Sequence, residues 1–328
     1  MERRRRRKKV WIRIGVISLF LIVLAAGIGF WYWKSTEQAT CSPQLTVELQ
    51  AEKPEGVIYE QNIRYAETEQ NLCYLDIAYS EEEAANPLLV FVHGGSWMEG
   101  SRTEMTNYLY TFSALGYTVA TIDYDLLDFY DYLTGEFVSV NDQVGMVSEA
   151  ISYLTDNAEK YHIDTEKIVL IGHSAGGQLV GCLAERVSDH PEEYEYQLAG
   201  VVILAGVTDL KTMLYEGYQW EGNVSLALVP FIFDGVENSD VITEIEKVDV
   251  ASNITEKLPP VLLVHGNNDT LVPLTMSENL YQSLKDLGVD TELVVVEGMS
   301  HGLEEQAVSN AIYTYLTVYV QDLDEENK

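Results

Sequence analysis

The chain has 328 residues, 47% of them hydrophobic and 22% charged, the balance of a globular protein long enough for a sizeable core and not of a disordered one. Acidic residues outnumber basic ones 52 to 20, for a net charge of -32, and a body this negative repels phosphate backbones, which argues against nucleic-acid binding. Three cysteines are too few for a disulfide-dense miniprotein or a four-cysteine zinc site.

The charge is unevenly placed. Residues 1–33 hold eight basic residues (Arg3 to Arg7, Lys8, Lys9 and Arg13) and a single acid, Glu2, so the remainder carries 12 basic and 51 acidic side chains. Residues 1–9 form a basic segment. Val10 to Trp33 then runs for 24 residues with one charge, Arg13, near its start. About 20 apolar residues in a helix span a bilayer. Arg13 lies close enough to the basic end to snorkel toward headgroups, and Trp31, Tyr32 and Trp33 suit the far interface. The spacing predicts a transmembrane anchor over 10–33 in the cell membrane. The positive-inside tendency puts Arg3–Lys9 in the cytoplasm and the following chain outside. A cleaved signal peptide is the alternative, but its apolar region is shorter, about 7–15 residues, and ends at a small-residue site rather than in aromatics.

Residues 34–56, with Pro43 and Pro54 and no clear periodicity, read as a tether. Cys41 and Cys73 either pair outside the membrane or remain two free thiols, since spacing does not fix connectivity. Cys182 falls in an apolar helical stretch and reads as core.

From residue 57 short apolar runs alternate with helical patterns. Strands are predicted over Ile58–Tyr65, Leu72–Tyr79, Leu88–Val92, Thr118–Ile122, Lys167–Ile171, Gly200–Leu204, Val261–Val264 and Glu292–Val296. Helices are predicted near 103–115, 142–158, 175–188, 275–287 and 303–320. This is the α/β pattern of a mostly parallel, doubly wound sheet of about eight strands covered on both faces. The first two runs are closely linked and suit an antiparallel edge. Residues 207–256 break the rhythm with Met213, Leu214, Tyr215, Tyr218, Trp220 and Phe231. They read as a cap inserted over the strand ends, because a structureless loop of that length is uncommon.

Four motifs follow strands. Leu88–Val92 leads into His93-Gly94-Gly95-Ser96-Trp97. Glycines there let main-chain N–H groups approach a ligand, although a tight turn accounts for them equally well. The run Lys167–Ile171 leads into Gly172-His173-Ser174-Ala175-Gly176-Gly177 and then a helix. That is the strand–turn–helix setting in which a serine hydroxyl projects from the sheet toward a helix amino terminus. The run Val261–Val264 leads into His265-Gly266-Asn267-Asn268-Asp269, a carboxylate where open parallel sheets place functional groups. The last strand leads into Gly298-Met299-Ser300-His301-Gly302. A lone Asp usually caps a turn and a lone His is usually a satisfied polar residue. Here all the signals sit at strand ends in the order Ser174, Asp269, His301, the order of the α/β hydrolases.

On these motifs, with Val272-Pro273 after the acid, residues 57–320 resemble the α/β-hydrolase superfamily. Within it they are most similar to the esterase/lipase group related to hormone-sensitive lipase and to feruloyl- or acetyl-esterase-like (BD-FAE-like) proteins. The resemblance implies serine ester hydrolysis by Ser174, His301 and Asp269, an oxyanion hole at Gly94, Gly95 and Ala175, and neither a metal nor an organic cofactor. Trp97, Tyr124, His173, Tyr218 and Trp220 are candidates to line the substrate site, with ordinary packing the competing reading for the tyrosines. An amide hydrolase on the same triad and a non-catalytic binding module on the same scaffold stay open. Two departures stand out. Ser96 occupies the place of a third glycine, and Tyr124-Asp125 stands where the group often has Tyr-Arg. Of the other histidines, His162 reads as solvated in a turn, His190 as a residue at a helix end, and His173 as local packing beside Ser174.

Overall fold

The computed structural model describes residues 45–67, 72–82, 84–127, 138–215 and 241–321. The anchor over 10–33, Cys41, Tyr218 and Trp220 lie outside them. Among the described residues no helix is long and apolar enough to cross a membrane.

Eight strands form one sheet: β1 (Val57–Glu67), β2 (Leu72–Ser80), β3 (Asn86–Val92), β4 (Thr118–Ile122), β5 (Ile163–His173), β6 (Leu198–Leu204), β7 (Val261–Gly266) and β8 (Thr291–Val296). Their order across the sheet is β1-β2-β4-β3-β5-β6-β7-β8. The expected antiparallel edge is present, since β1 pairs with β2 and β2 with β4 in that sense. Every pairing from β4 through β3 to β8 is parallel. The long helices are α1 (Thr106–Ser113), α2 (Val140–Asp156), α3 (Ala175–Asp189), α4 (Leu274–Leu287) and α5 (Glu305–Tyr319).

The sheet is buried on both faces, which is why its central strands are unbroken apolar runs instead of alternating ones. Side chains still alternate between faces with period two. Leu88, Val90 and Val92 of β3, with Ile168 and Leu170 of β5, share the core on the side of α2 and α3. Leu89, Phe91, Val169 and Ile171 point the other way, onto Leu109 and Phe112 of α1 and Val308, Ile312 and Leu316 of α5.

The tether requires correction at its second half. Residues 45–50 are held on the body: the Leu45 and Val47 amides donate to Thr314 Oγ1 and Asn310 Oδ1 of α5, and Gln50 donates to Thr111 Oγ1 of α1. Val47 is buried there, so the packed domain begins near residue 45. Three polar partners and one small apolar residue leave no periodic signature, which is why this strap reads as linker. Cys73 is buried with a free thiol, as is Cys182.

The segment read as a cap is described only at its two ends. These form short helices over Leu210–Tyr215, Val241–Glu246 and Val250–Asn253. Buried Asp249 accepts from the Leu210 amide at 2.7 Å, joining the two ends. His162 is half-buried, not solvated: it closes the short helix Ala158–Tyr161 at φ 54° and its Nδ1 donates to the Ser80 carbonyl. His190 ends α3 as expected.

Candidate active site

All four motifs lie at the carboxyl edge of the sheet, after β3, β5, β7 and β8. Ser174 occupies the turn between β5 and α3 at φ 54° and ψ -116°, a backbone that L-residues rarely adopt and that costs of order 1–3 kcal/mol. The turn is paid for by its surroundings: the Ser174 amide donates to the Leu204 carbonyl at the end of β6, and the Ser174 carbonyl accepts from Gln178 and Val207. A Cβ on Gly176 would lie 2.4 Å from the carbonyl oxygens of both Val92 and His93. Only glycine lets the first turn of α3 rest directly on the end of β3, and that contact brings Ser174 beside Gly94.

Ser174 Oγ lies 2.9 Å from His301 Nε2, and His301 Nδ1 lies 2.8 Å from Asp269 Oδ2. The side chain of Asp269 is fully buried and that of His301 is 18% exposed, so the carboxylate is sheltered while the imidazole is partly open to solvent. Burial by itself would raise the Asp269 pKa. Hydrogen bonds from His265, His301 and the Val272 amide outweigh it and hold the carboxyl well below the usual range. Asp269 Oδ1 accepts from the amides of Leu271 and Val272 at 2.8 and 2.9 Å. The glycine of His265-Gly266 has a matching purpose. A Cβ on Gly266 would lie 1.9 Å from the Met299 carbonyl oxygen, so glycine permits the β7 end to touch the loop that carries His301.

The glycine loop after β3 borders the same spot. Among the described residues no acceptor takes the N–H of Gly94, Gly95 or Ala175. Ala175 opens α3, where helix geometry leaves the N–H free and the dipole positive. Ser96, in place of the third glycine, sits at φ 52°, the left-handed region that makes glycine the easier residue there.

The residues proposed to line a substrate site fall in different places. Trp97 is buried, and its Nε1–H donates to Gln178 Oε1 at 3.0 Å, so it underpins the loop from below. Tyr124 is also buried; its hydroxyl donates to the His93 carbonyl and its ring stacks on His93 at 4.4 Å. His173 lies against His301, and its Nε2–H donates to the His301 carbonyl at 3.0 Å. Burial, with His301 nearby, pushes its pKa down to about 4, so it is neutral at pH 7. Two supports were not anticipated. Gln143 of α2 donates to the carbonyls of Trp97 and Asp125, clamping the loop. His265, fully buried, stands 3.2 Å from Asp269 Oδ2; the i, i+4 spacing of the two residues is the signal for it.

Residues 75–284 match the BD-FAE family model. The chain belongs to the BD-FAE family. Curated relatives of this BD-FAE protein include the isoprenylcysteine alpha-carbonyl methylesterase ICME of Arabidopsis thaliana, 25% identical over 300 residues that cover 86% of this chain and 66% of the relative. Esterase LipC of Mycobacterium tuberculosis is 25% identical over 228 residues, covering 66% of this chain and 53% of its own length. The chain thus spans between about a third and two thirds of the length of the curated relatives it matches. Among solved structures, the Thermogutta terrifontis esterase Est2 superposes with a TM-score of 0.64 at 21% identity, over 85% of this chain and 99% of that one. Esterase B of Lactobacillus rhamnosis gives 0.64 at 20% identity, over 82% and 86%. The BD-FAE chain therefore has the α/β-hydrolase fold.

Proposed function

We propose that this BD-FAE protein is a serine ester hydrolase. The observation that carries the reading is the continuous hydrogen-bonded path from Ser174 Oγ through His301 to Asp269 Oδ2 at the sheet's carboxyl edge. Ser174 Oγ attacks the acyl carbonyl while His301 Nε2 takes its proton. The carbonyl oxygen becomes an oxyanion held by the N–H groups of Ala175, Gly94 and Gly95. The carbon–oxygen bond to the leaving alcohol then breaks, and His301 returns the proton to that alcohol. Water repeats the sequence on the acyl-enzyme. Asp269 keeps His301 in the tautomer with Nδ1–H and stabilises its cation. One oxyanion donor is worth about 3–4 kcal/mol of barrier.

The substrate is a neutral short-chain ester, or an acetyl or feruloyl ester on a carbohydrate. The motif resemblance to feruloyl- and acetyl-esterase-like proteins supports this class, and the acidic excess beyond residue 33 disfavours anionic esters. The basic Arg3–Lys9 and apolar Val10–Trp33 support a single-pass membrane anchor with the catalytic domain outside. Retention of the chain in membranes after alkaline carbonate washing tests the anchor. One relative favours a second reading: the acylamino-acid-releasing enzyme of Mus musculus is 23% identical over 287 residues, and amide hydrolysis would use the same groups. Parallel assays of p-nitrophenyl acetate and a matched anilide decide between them. Ser174→Ala is expected to reduce p-nitrophenyl acetate turnover to background; undiminished turnover overturns the nucleophile.

A further inference from the structure

The carboxylate of Asp269 meets two imidazoles. His301 Nδ1 reaches Oδ2 from the solvent side at 2.8 Å, and His265 Nε2 reaches the same oxygen from the core at 3.2 Å. Asp269 Oδ1 is already taken by two backbone amides. The carboxylate therefore has one oxygen pinned by the chain and one shared between two histidines.

The tautomer of His265 follows from its neighbours. Its Nε2 faces the Val272 carbonyl at 2.9 Å as well as Asp269 Oδ2. Both are acceptors, so Nε2 carries the hydrogen and shares it between them. Its Nδ1 lies 2.7 Å from Ser277 Oγ on α4. His265 and Ser277 are both fully buried. A polar pair of this kind is costly in a core unless every atom is satisfied, and here each imidazole nitrogen has a partner. The result is a second Ser–His pair, mirrored across Asp269 from Ser174 and His301.

We propose that His265, backed by Ser277, is a positioning residue: it holds Asp269 toward His301 and withdraws part of the carboxylate's hydrogen-bonding capacity from it. The inference rests on the serine-hydrolase reading above. The consequence has a definite sign. A donor removed from Oδ2 leaves that oxygen a stronger acceptor for His301 Nδ1–H, which stabilises the His301 cation. More acid is then neutralised before His301 becomes a base, so the acidic limb of kcat/KM moves to higher pH. Among the described residues the other titratable group against His301 is His173, which is neutral throughout the working range and leaves that limb to the Asp269–His301 pair.

The test is the pH profile of kcat/KM for p-nitrophenyl acetate with the full chain, its concentration of reactive serine measured with a fluorophosphonate probe. His265→Leu is expected to raise the acidic limb by about half a unit to one unit, the size of one hydrogen bond's contribution to a pKa, and to lower kcat about tenfold. His265→Gln, whose side-chain N–H falls near the position of Nε2, is expected to restore the wild-type limb. Ser277→Ala touches neither Asp269 nor His301 and is expected to move the limb in the same direction by a smaller amount. It carries the test if His265→Leu does not fold. A limb that stays in place, or moves down, in a folded His265→Leu or Ser277→Ala protein overturns the role of His265. Retained turnover in Ser174→Ala instead overturns the underlying reading, so the two failures are told apart.

Discussion

Gly266 and Gly302 both follow histidines, yet the structure gives them opposite importance. A Cβ at Gly266 would sit 1.9 Å from the Met299 carbonyl oxygen, against 3.4 Å at the near edge of ordinary contact. The β7 end and the 297–302 loop would have to part by about 1.5 Å to relieve this overlap. Met299 is two residues from His301, and a misplacement of about 1 Å at a reacting group is worth about 100-fold in rate. Gly266→Ala is therefore expected to lower kcat for p-nitrophenyl acetate by at least about 100-fold, and to lower the melting temperature because two buried backbones are pushed apart. At Gly302 a Cβ would meet only Ser300 Oγ, at 4.0 Å. Gly302→Ala is expected to keep kcat within about threefold of wild type, since no atom need move more than a few tenths of an ångström. Circular dichroism and reaction with a fluorophosphonate check that each variant is folded. A Gly266→Ala enzyme with wild-type kcat, or a Gly302→Ala enzyme as impaired as Gly266→Ala, would refute the close-approach argument.

Three further outcomes are expected. Asp269→Asn replaces an acceptor at Oδ2 by an amide that also fits a hydrogen bond with His301 in the wrong tautomer, so kcat should fall about 10⁴-fold while KM changes little; steady-state kinetics on the same ester decide it. His173 is held at about 4 when folded, against about 6.5 for a free imidazole. Above pH 6.5 it is neutral in both states, and as pH falls from 6.5 to 4 the unfolded chain takes up a proton that the folded one refuses. Stability should decline across that window by up to about 3 kcal/mol, and His173→Gln should remove that part of the slope in urea unfolding at pH 7, 6 and 5. Arg102 bonds the buried Asp76 at 2.9 Å and also pairs with Asp123. Arg102→Leu removes the guanidinium from both carboxylates, while Asp76 keeps the Asn62 amide and Asp123 the backbone N–H of residue 102, so it is expected to cost about 2–3 kcal/mol by chemical denaturation at pH 7.

Much of the site was legible because its chemistry depends on local patterns. Ser174 needs glycines at fixed offsets between a strand and a helix, and Asp269 and His301 each follow an apolar β-branched or leucine run. Those are features of adjacent residues. Gln143, Trp97 and Arg102 were not legible as supports, because their partners lie tens of residues away in the chain. Gln143 meets Trp97 and Asp125 only after α2 packs beneath the loop. Trp97 has the look of a substrate platform in the sequence, and its burial depends on the same packing.

The sequence by itself determined the eight strands, their alternation with helices, the parallel sense of the sheet and the chain order of the three reactive side chains. These follow from periodicity and from glycine's backbone freedom, which act over a few residues. Tertiary structure alone decided that residues 45–50 strap α1 and α5, that Tyr124 supports His93, and that Asp269 is shared by two histidines. Those outcomes depend on which polar atoms are left without water once distant surfaces close together, and only packing determines that.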